Sequence, residues 1–377
     1  MRRAPWKINQ FVSVDTSKPL KLIFLQEGWK EIAHSRIIES KNKIEHVESM
    51  TDWEFRKKIT NPYEPVFSGD DGSFPSLAKV QPLSRSYFKM IEMLHLLEFW
   101  SSIDTSKPFI ASHACEGPGG FIQSVIEGCY ENKIPLKNIY AITLKPTKSH
   151  IPGWRRSIHF LKKHKEIQLE YGVDDTGNIL NLQNQRAFSI KAQGSQLFTA
   201  DGGFDFSTDY TNQEQTVFPL LLASFTLGLM CLDKGGTIII KTFDIYGKAT
   251  QDLLLGTAFF FKKFTIYKPA TSRPCNSERY FIATGYKGKE FADVQEWIKH
   301  LQTAQVKHKQ SPLTQLVEGP WPDDLMGAVK EQIHMQEEIQ IDTINDTLTL
   351  DRFTVKQRVI DNINLSKEWC KTFGIKY

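Results

Sequence analysis

Chemistry in this chain concentrates where its apolar runs stop. One run, KPFIASHA, gives way at Cys115 to CEGPGGF, three glycines and a proline ahead of a stretch with helical spacing. A turn so poor in side chains has two uses: backbone with φ > 0, and close approach of the main chain to a ligand. Gly117, Gly119 and Gly120 lack the GxGxxG spacing of a dinucleotide fingerprint, which sets a nicotinamide oxidoreductase aside. A second run, Thr237 to Ile240, ends in Lys241. An unperturbed lysine is neutral only about one time in a thousand at physiological pH. Burial and a neighbouring cation disfavour the charged form, so a lysine leaving an apolar strand can be tuned toward general-base duty. For an isolated lysine the plainer reading is a snorkelling side chain paired with a surface carboxylate.

The elements that must position these groups follow from periodicity. SRSYFKMIEMLHLLEFW, GGFIQSVIEGCY, TNQEQTVFPLLLASFTLGLMCL and QDLLLGTAFFFKKF read as helices, and KPFIASHAC, KNIYAITLK, SQLFTADGG, GGTIIIKTF and SERYFIATGYK as strands. Thr211 and Glu214 form a capping-box signature at the start of the third helix. Strands alternating with helices predict an α/β fold, a parallel, doubly wound Rossmann-like sheet with helices on both faces and ligands at the strands' carboxyl ends. Those ends carry CEGPGG, TLKP, ADGG and KTFD, and the last strand is approached through TSRPCNSERY. The expected organisation is an N-terminal extension over 1–80 packed on the core, the α/β domain over 81–288, and a mostly helical region over 289–377.

Composition narrows the class. With 377 residues, 40% hydrophobic and 24% charged, the chain has the makings of a large folded core, and a net charge of +4 suits an anionic partner without demanding one. Five cysteines, Cys115, Cys129, Cys231, Cys275 and Cys370, form no CxxC pair, so neither a disulfide framework nor a zinc knuckle is indicated and a reducing compartment is expected. The N-terminus, MRRAPWKINQFVSV, does not read as a secretory signal. The longest apolar run, Val217 to Leu232, is shorter than the roughly 20 residues a bilayer requires. A buried helix is expected there, with no membrane partner.

Taken together, these stretches resemble one family. KTFDIYG from Lys241, YKPATSRPCNSERYFIATGYKG from Tyr267, CEGPGGF and TADGGFDF resemble the RrmJ/FtsJ-type ribose 2′-O-methyltransferases. ITNPYEPVF (Ile59 to Phe67) and SRSYFKM (Ser84 to Met90) resemble the mRNA cap-specific branch of eukaryotes and large DNA viruses. The similarity covers about residues 55–288. It implies a Lys-Asp-Lys-Glu tetrad of Lys89, Asp201, Lys241 and Glu278, with Lys241 as proton acceptor, Lys89 lowering its pKa, and the two acids holding the amines in place. It implies S-adenosylmethionine as methyl donor, with Cys115, Gly117, Pro118, Gly119, Gly120 and Phe121 around its methionine end and Asp201 near its amino group. Relatives often carry Gly-Asp-Ile-Thr beside the adenine where this chain has GNIL from Gly177, so either Asn178 or Asp175 is expected there.

For RNA, Lys145, Arg155 and Arg156 lie in a basic stretch interleaved with Trp154, and Arg273 borders the tetrad glutamate. A solvated helix face is the other reading of that charge run. Asp201, Asp205, Asp209 and Glu214 admit a metal-site reading, but displacement at a sulfonium needs no metal and none is expected. The resemblance implies the 5′ end of capped mRNA as substrate, with other capping or transcription proteins as partners. It implies a nuclear location for a cellular protein and the cytoplasm or virion for a viral one. The competing expectations are an rRNA or tRNA 2′-O-methyltransferase and a non-catalytic RNA-binding subunit that keeps the fold.

Overall fold

The computed structural model of the protein describes residues 11–26, 35–45, 47, 49–69, 74–147, 153–203 and 213–377. In chain order the elements are β1 (Leu22–Leu25), α1 (Ser35–Glu45), α2 (Met50–Thr60), α3 (Ser86–Leu96), α4 (Phe99–Ser102), β2 (Phe109–Ala114), α5 (Gly120–Glu131), β3 (Leu136–Ile142), α6 (Ile158–Lys163) and β4 (Ile167–Glu170). They continue with α7 (Leu182–Lys191), β5 (Ser195–Ala200), α8 (Gln213–Cys231), β6 (Leu232–Thr242), α9 (Lys248–Ala258), β7 (Lys263–Tyr267), β8 (Arg279–Thr284), α10 (Ala292–Gln310), β9 (Gln315–Val317), α11 (Asp323–Leu348) and α12 (Val355–Thr372).

Seven strands form the central sheet in the order β4-β3-β2-β5-β6-β8-β7. Strands β2 to β6 pair in parallel, as a doubly wound Rossmann-like sheet requires, and β8 lies antiparallel between β6 and β7. Uniform parallelism is therefore corrected at one edge. The helix expected over 251–264 stops at Ala258, and KFTIY pairs as β7 instead. With no helix between β7 and β8, the chain returns directly, and a direct return makes an antiparallel pair. Strand β4, which follows the basic stretch, is also absent from the sequence reading.

Period-two alternation sorts the sheet's side chains between two layers. Ile238 and Ile240 of β6 join α7, α8, α9 and α10 on one face, while Ile239 joins α3, α4 and α5 on the other. Each fully buried isoleucine is worth about 2 kcal/mol, and the three in succession fix the register of β6. Parity then sends Lys241, two residues beyond Ile239, toward the face that carries α3. Helix α8 is long and apolar enough to cross a membrane by length and composition, yet 72% of its apolar window is buried within this fold. Thr211 of its expected capping box lies outside the described residues. Glu214 instead accepts hydrogen bonds from the backbone of Tyr246 (3.0 Å) and Gly247 (2.8 Å), closing the start of α9.

The regions flanking the sheet meet each other. Strand β1 pairs antiparallel with β9, α1 packs on α11, and α2 packs on α11 and α12. Glu92 ties this assembly to α3: its carboxylate accepts from the Ala270 amide at 2.7 Å, from the Trp369 indole of α12 at 2.9 Å, and from the Tyr267 hydroxyl. Burial raises its pKa from 4.5 to about 7, against those hydrogen bonds, which lower it. The folded protein thus keeps a proton that the unfolded chain has released over that interval, so Glu92's contribution to stability falls as pH rises through it. Glu92→Gln cannot titrate. Its melting temperature relative to the native protein is expected to rise as pH is raised from about 4.5 to about 7; a constant offset in calorimetry would show that Glu92 does not titrate there.

Candidate active site

The four residues of the expected tetrad come together at the carboxyl ends of β5 and β6. Lys89, on α3, meets Glu278 with Nζ to Oε1 at 2.6 Å, and Lys241, at the end of β6, meets Asp201, just past β5, at 3.2 Å. All four side chains are 11–14% exposed. Two further groups hold the acids. The Tyr280 hydroxyl donates to Asp201 Oδ1 at 2.8 Å, and the Ser272 hydroxyl to Glu278 Oε1 at 2.7 Å. Tyr280 pairs in register with Lys241, so both side chains leave the sheet on the same face. Lys268 braces the approach to β8, donating to the Asn276 and Glu278 carbonyls at 2.7 and 2.8 Å.

Electrostatics depart from the sequence expectation at Lys241. Burial lowers its pKa, but Asp201, Glu278 and Glu116 together outweigh burial and raise it above the ordinary value. A lowered pKa is corrected accordingly: with the Asp201 and Glu278 carboxylates facing it, Lys241 rests as an ammonium. Glu278 shows the reciprocal effect. Burial pushes it up, but Lys89 and Lys241 hold it well below the carboxylate range. Gly203 leaves the Lys241 side chain its space, since a Cβ there would press on the Phe243 ring at 3.2 Å and on Lys241 Cε at 3.3 Å. Asp201→Asn removes the largest upward influence on Lys241, so its pKa is expected to fall, read from the 13Cε signal of Lys241 during a pH titration; an unmoved titration would show that Asp201 does not set the charge on Lys241.

The glycine turn opened the sequence argument, and its surroundings show what each glycine allows. Gly119, at φ 105°, starts α5. A Cβ on Gly117 would meet the Gly153 carbonyl at 2.8 Å, and one on Gly120 the Ser86 and Ser84 hydroxyls at 2.3 and 2.4 Å. The turn is thus wedged between the segment after β3 and the start of α3. Phe121 is fully buried, Cys115 is half-buried at φ 57°, and Pro118 accepts a hydrogen bond from Ser157. Burial pushes the Cys115 thiol up to about 12.

Glu116, within the turn, was not singled out by sequence reasoning. It is 3% exposed, accepts from Thr199 at 2.7 Å, and its second carboxyl oxygen is buried with no hydrogen-bond partner. Burial first and Asp201 second raise its pKa well above the carboxylate range. Two acids, one with an orphaned oxygen, beside a turn stripped of side chains fit a ligand that brings a compact positive charge. The residues present therefore suit the amino-acid end and sulfonium of S-adenosylmethionine.

The loop after β4 closes the neighbouring strand end. Gly177, at φ 70°, lies so close to the Thr143 carbonyl that a Cβ would be 1.8 Å from it. Asp175 pairs with Lys145, whose ammonium sits 4.5 Å from the Tyr171 ring centroid. The Asn178 amide oxygen accepts from the Leu180 backbone at 3.0 Å. Arg155 and Arg156 are exposed, on a short turn leading into α6. Arg273 is turned inward, its guanidinium gripping Glu64 through Nε at 3.1 Å and Nη2 at 2.9 Å. Among the described residues, no group of three or more His, Cys, Asp and Glu could hold a metal ion; Asp205 and Asp209 lie outside them.

A seven-stranded sheet of this order, with a glycine turn after its first central strand and acids at the next strand's end, defines the Rossmann-like methyltransferase class. Residues 82–286 match the FtsJ-like methyltransferase family, and the chain belongs to it. It is 27% identical to the cap-specific mRNA (nucleoside-2′-O-)-methyltransferase 1 of Trypanosoma cruzi, over 66% of this chain and 70% of that protein. The mouse protein of the same name is 28% identical over 72% of this chain, which spans only 33% of it. The cap-specific mRNA (nucleoside-2′-O-)-methyltransferase of Autographa californica nuclear polyhedrosis virus is 31% identical over 45% of this chain and 61% of its own length.

Proposed function

We propose that the protein transfers a methyl group from S-adenosylmethionine to the ribose 2′-hydroxyl of the first transcribed nucleotide of capped mRNA. The observation that carries this reading is the convergence of Lys89–Glu278 and Lys241–Asp201 beside the glycine turn and the orphaned Glu116 oxygen. The names of the relatives support the substrate. Bound in the turn, S-adenosylmethionine would supply an electrophilic methyl on a sulfonium. Gly117, Gly119, Gly120 and Asp201 would hold its amino-acid end, with Phe121 packed in the core beneath them and Asp175, Asn178 and Tyr171 near the far end.

Lys241 takes the proton of the 2′-hydroxyl, and for that its amine must be free. Asp201, the carboxylate that does most to keep it charged at rest, also lies beside the donor turn. A cation held there competes for the same negative charge, which lowers the pKa of Lys241. Lys89 neutralises Glu278 and leaves it less able to hold a proton on Lys241. Asp201 and Tyr280 fix where the amine points, which orients the hydroxyl for in-line attack. Arg155 and Arg156 meet RNA phosphates from the exposed turn, and the same turn buttresses the donor site through Ser157 and Pro118.

Transfer from labelled S-adenosylmethionine to matched RNAs capped with N7-methylguanosine, capped without that methyl, and uncapped tests this, with nuclease mapping of the label. Label on the first ribose of capped RNA only is expected, and Lys241→Ala should lower the rate about 10²- to 10⁴-fold. Label on uncapped or internal positions would give the protein an rRNA or tRNA substrate instead. Donor binding without label would make it a non-catalytic subunit. Replacing Arg155 and Arg156 together by alanine should raise KM for RNA, flatten the salt dependence of binding and leave kcat unchanged.

A further inference from the structure

Behind the Lys89–Glu278 pair runs a second ionic connection between the same two elements. Arg85 precedes Lys89 by one helical turn at the start of α3, and Arg273 lies on the loop that carries Ser272 and Glu278. Both guanidinium groups converge on Glu64: Arg85 Nη1 donates to Oε1 at 3.0 Å, and Arg273 donates to both oxygens, at 2.9 and 3.1 Å. The Glu64 side chain has no solvent exposure, and Asn61 and Ser68 donate to its two oxygens at 2.7 and 3.0 Å. Arg85 also reaches across to the Thr271 carbonyl at 3.1 Å, on the Ser272 and Arg273 loop. One fully buried anion therefore serves two cations that otherwise repel each other, and each cation belongs to one side of the Lys89–Glu278 contact.

We propose that Glu64 is a positioning residue for Lys89 and Glu278: by neutralising Arg85 and Arg273 together it fixes the spacing of α3 and the β7–β8 loop and keeps the guanidinium groups off Glu278. The inference rests on the reading of the four-residue cluster as the methyl-transfer site. Without the charge on Glu64, Arg85 and Arg273 separate by mutual repulsion, and Glu278 is a carboxylate to which Arg85 is already attracted. Arg85 then competes with Lys89 for Glu278. Lys241 loses the balance that Lys89 provides, although no group touching the donor or the RNA has changed.

The test compares native protein with Glu64→Gln, which keeps the side chain's shape and removes its charge. Expected are a kcat lowered about 10- to 100-fold, KM for S-adenosylmethionine and for capped RNA within twofold of native, and a displaced 13Cε signal for Lys89, assigned through Lys89→Arg. Unchanged kcat, or an unmoved Lys89 signal, overturns the proposal. A loss of kcat matched by the loss of folded protein in circular dichroism also overturns it. Should Glu64→Gln fail to fold, Arg273→Gln cuts the same tether while Arg85 still neutralises Glu64. A fall in kcat with KM for the donor kept is expected there, and native kcat overturns the idea. The Lys89 signal needs no turnover, so native protein that transfers no methyl would sink the activity reading while the spectra still decide the role of Glu64.

Discussion

Two lysines and two carboxylates, largely withdrawn from water, must neutralise one another, and much of the surrounding architecture serves that requirement. Removing charges from water is costly unless each finds a partner of opposite sign at hydrogen-bond distance. Here the partners come from different elements: Lys89 from a helix, Lys241 from a strand end, Asp201 from a second strand end, and Glu278 from the approach to a third. The sheet supplies two positions by strand parity, and the rest of the chain has to bring α3 and the β7–β8 loop to meet them.

That delivery explains why the flanking regions are so closely joined to the core. Helix α3 reaches the sheet through Met90 and Met93, while its Phe88 packs with Trp369 and Phe373 of the C-terminal region. Glu92 binds the start of the β7–β8 loop and α12 at once, and Glu64 binds the beginning of α3 and the middle of that loop. Lys89 lies between these two anchors on α3. The N-terminal region contributes one anchor and the C-terminal helix completes the other, which accounts for the contacts that α1 and α2 make with α11 and α12.

The layout of this site was legible in the sequence because strand ends are legible. An apolar run that stops at Lys241, or at Cys115 before three glycines, marks both an element and the edge where ligands bind. Tyr280 was within reach too, since it shares strand parity with Glu278 and faces Lys241, but an aromatic in a strand reads first as core. Glu116 and Glu64 lie within the marked stretches CEGPGGF and ITNPYEPVF, but nothing in those stretches singles out either acid. Their roles come from burial and from partners far away in the chain, which periodicity does not encode. The strand KFTIY was hidden because four phenylalanines and two lysines just before and within it, Phe259 to Phe264, extend a helical pattern, and only pairing with β8 decides between the two. The charge state of Lys241 was misjudged because its sign depends on how many carboxylates face it, a count that exists only in three dimensions.

The docking of α12 has a consequence for the order in which the molecule is made. Lys79 donates its amide to the Lys376 carbonyl at 2.9 Å, and the Trp369 indole is one of the partners of Glu92, so the segment leading into α3 is finished by residues at the far end of the chain. At ribosomal speeds of about 5–20 residues per second, α3 emerges on the order of tens of seconds before its last partners do. Until then Glu92 lacks its Trp369 partner and Phe88 lacks the Trp369 and Phe373 rings, although the Tyr267 hydroxyl and the Ala270 amide reach Glu92 earlier. The nascent protein therefore holds its glycine turn and the strands around it before the anchors on either side of Lys89 are complete.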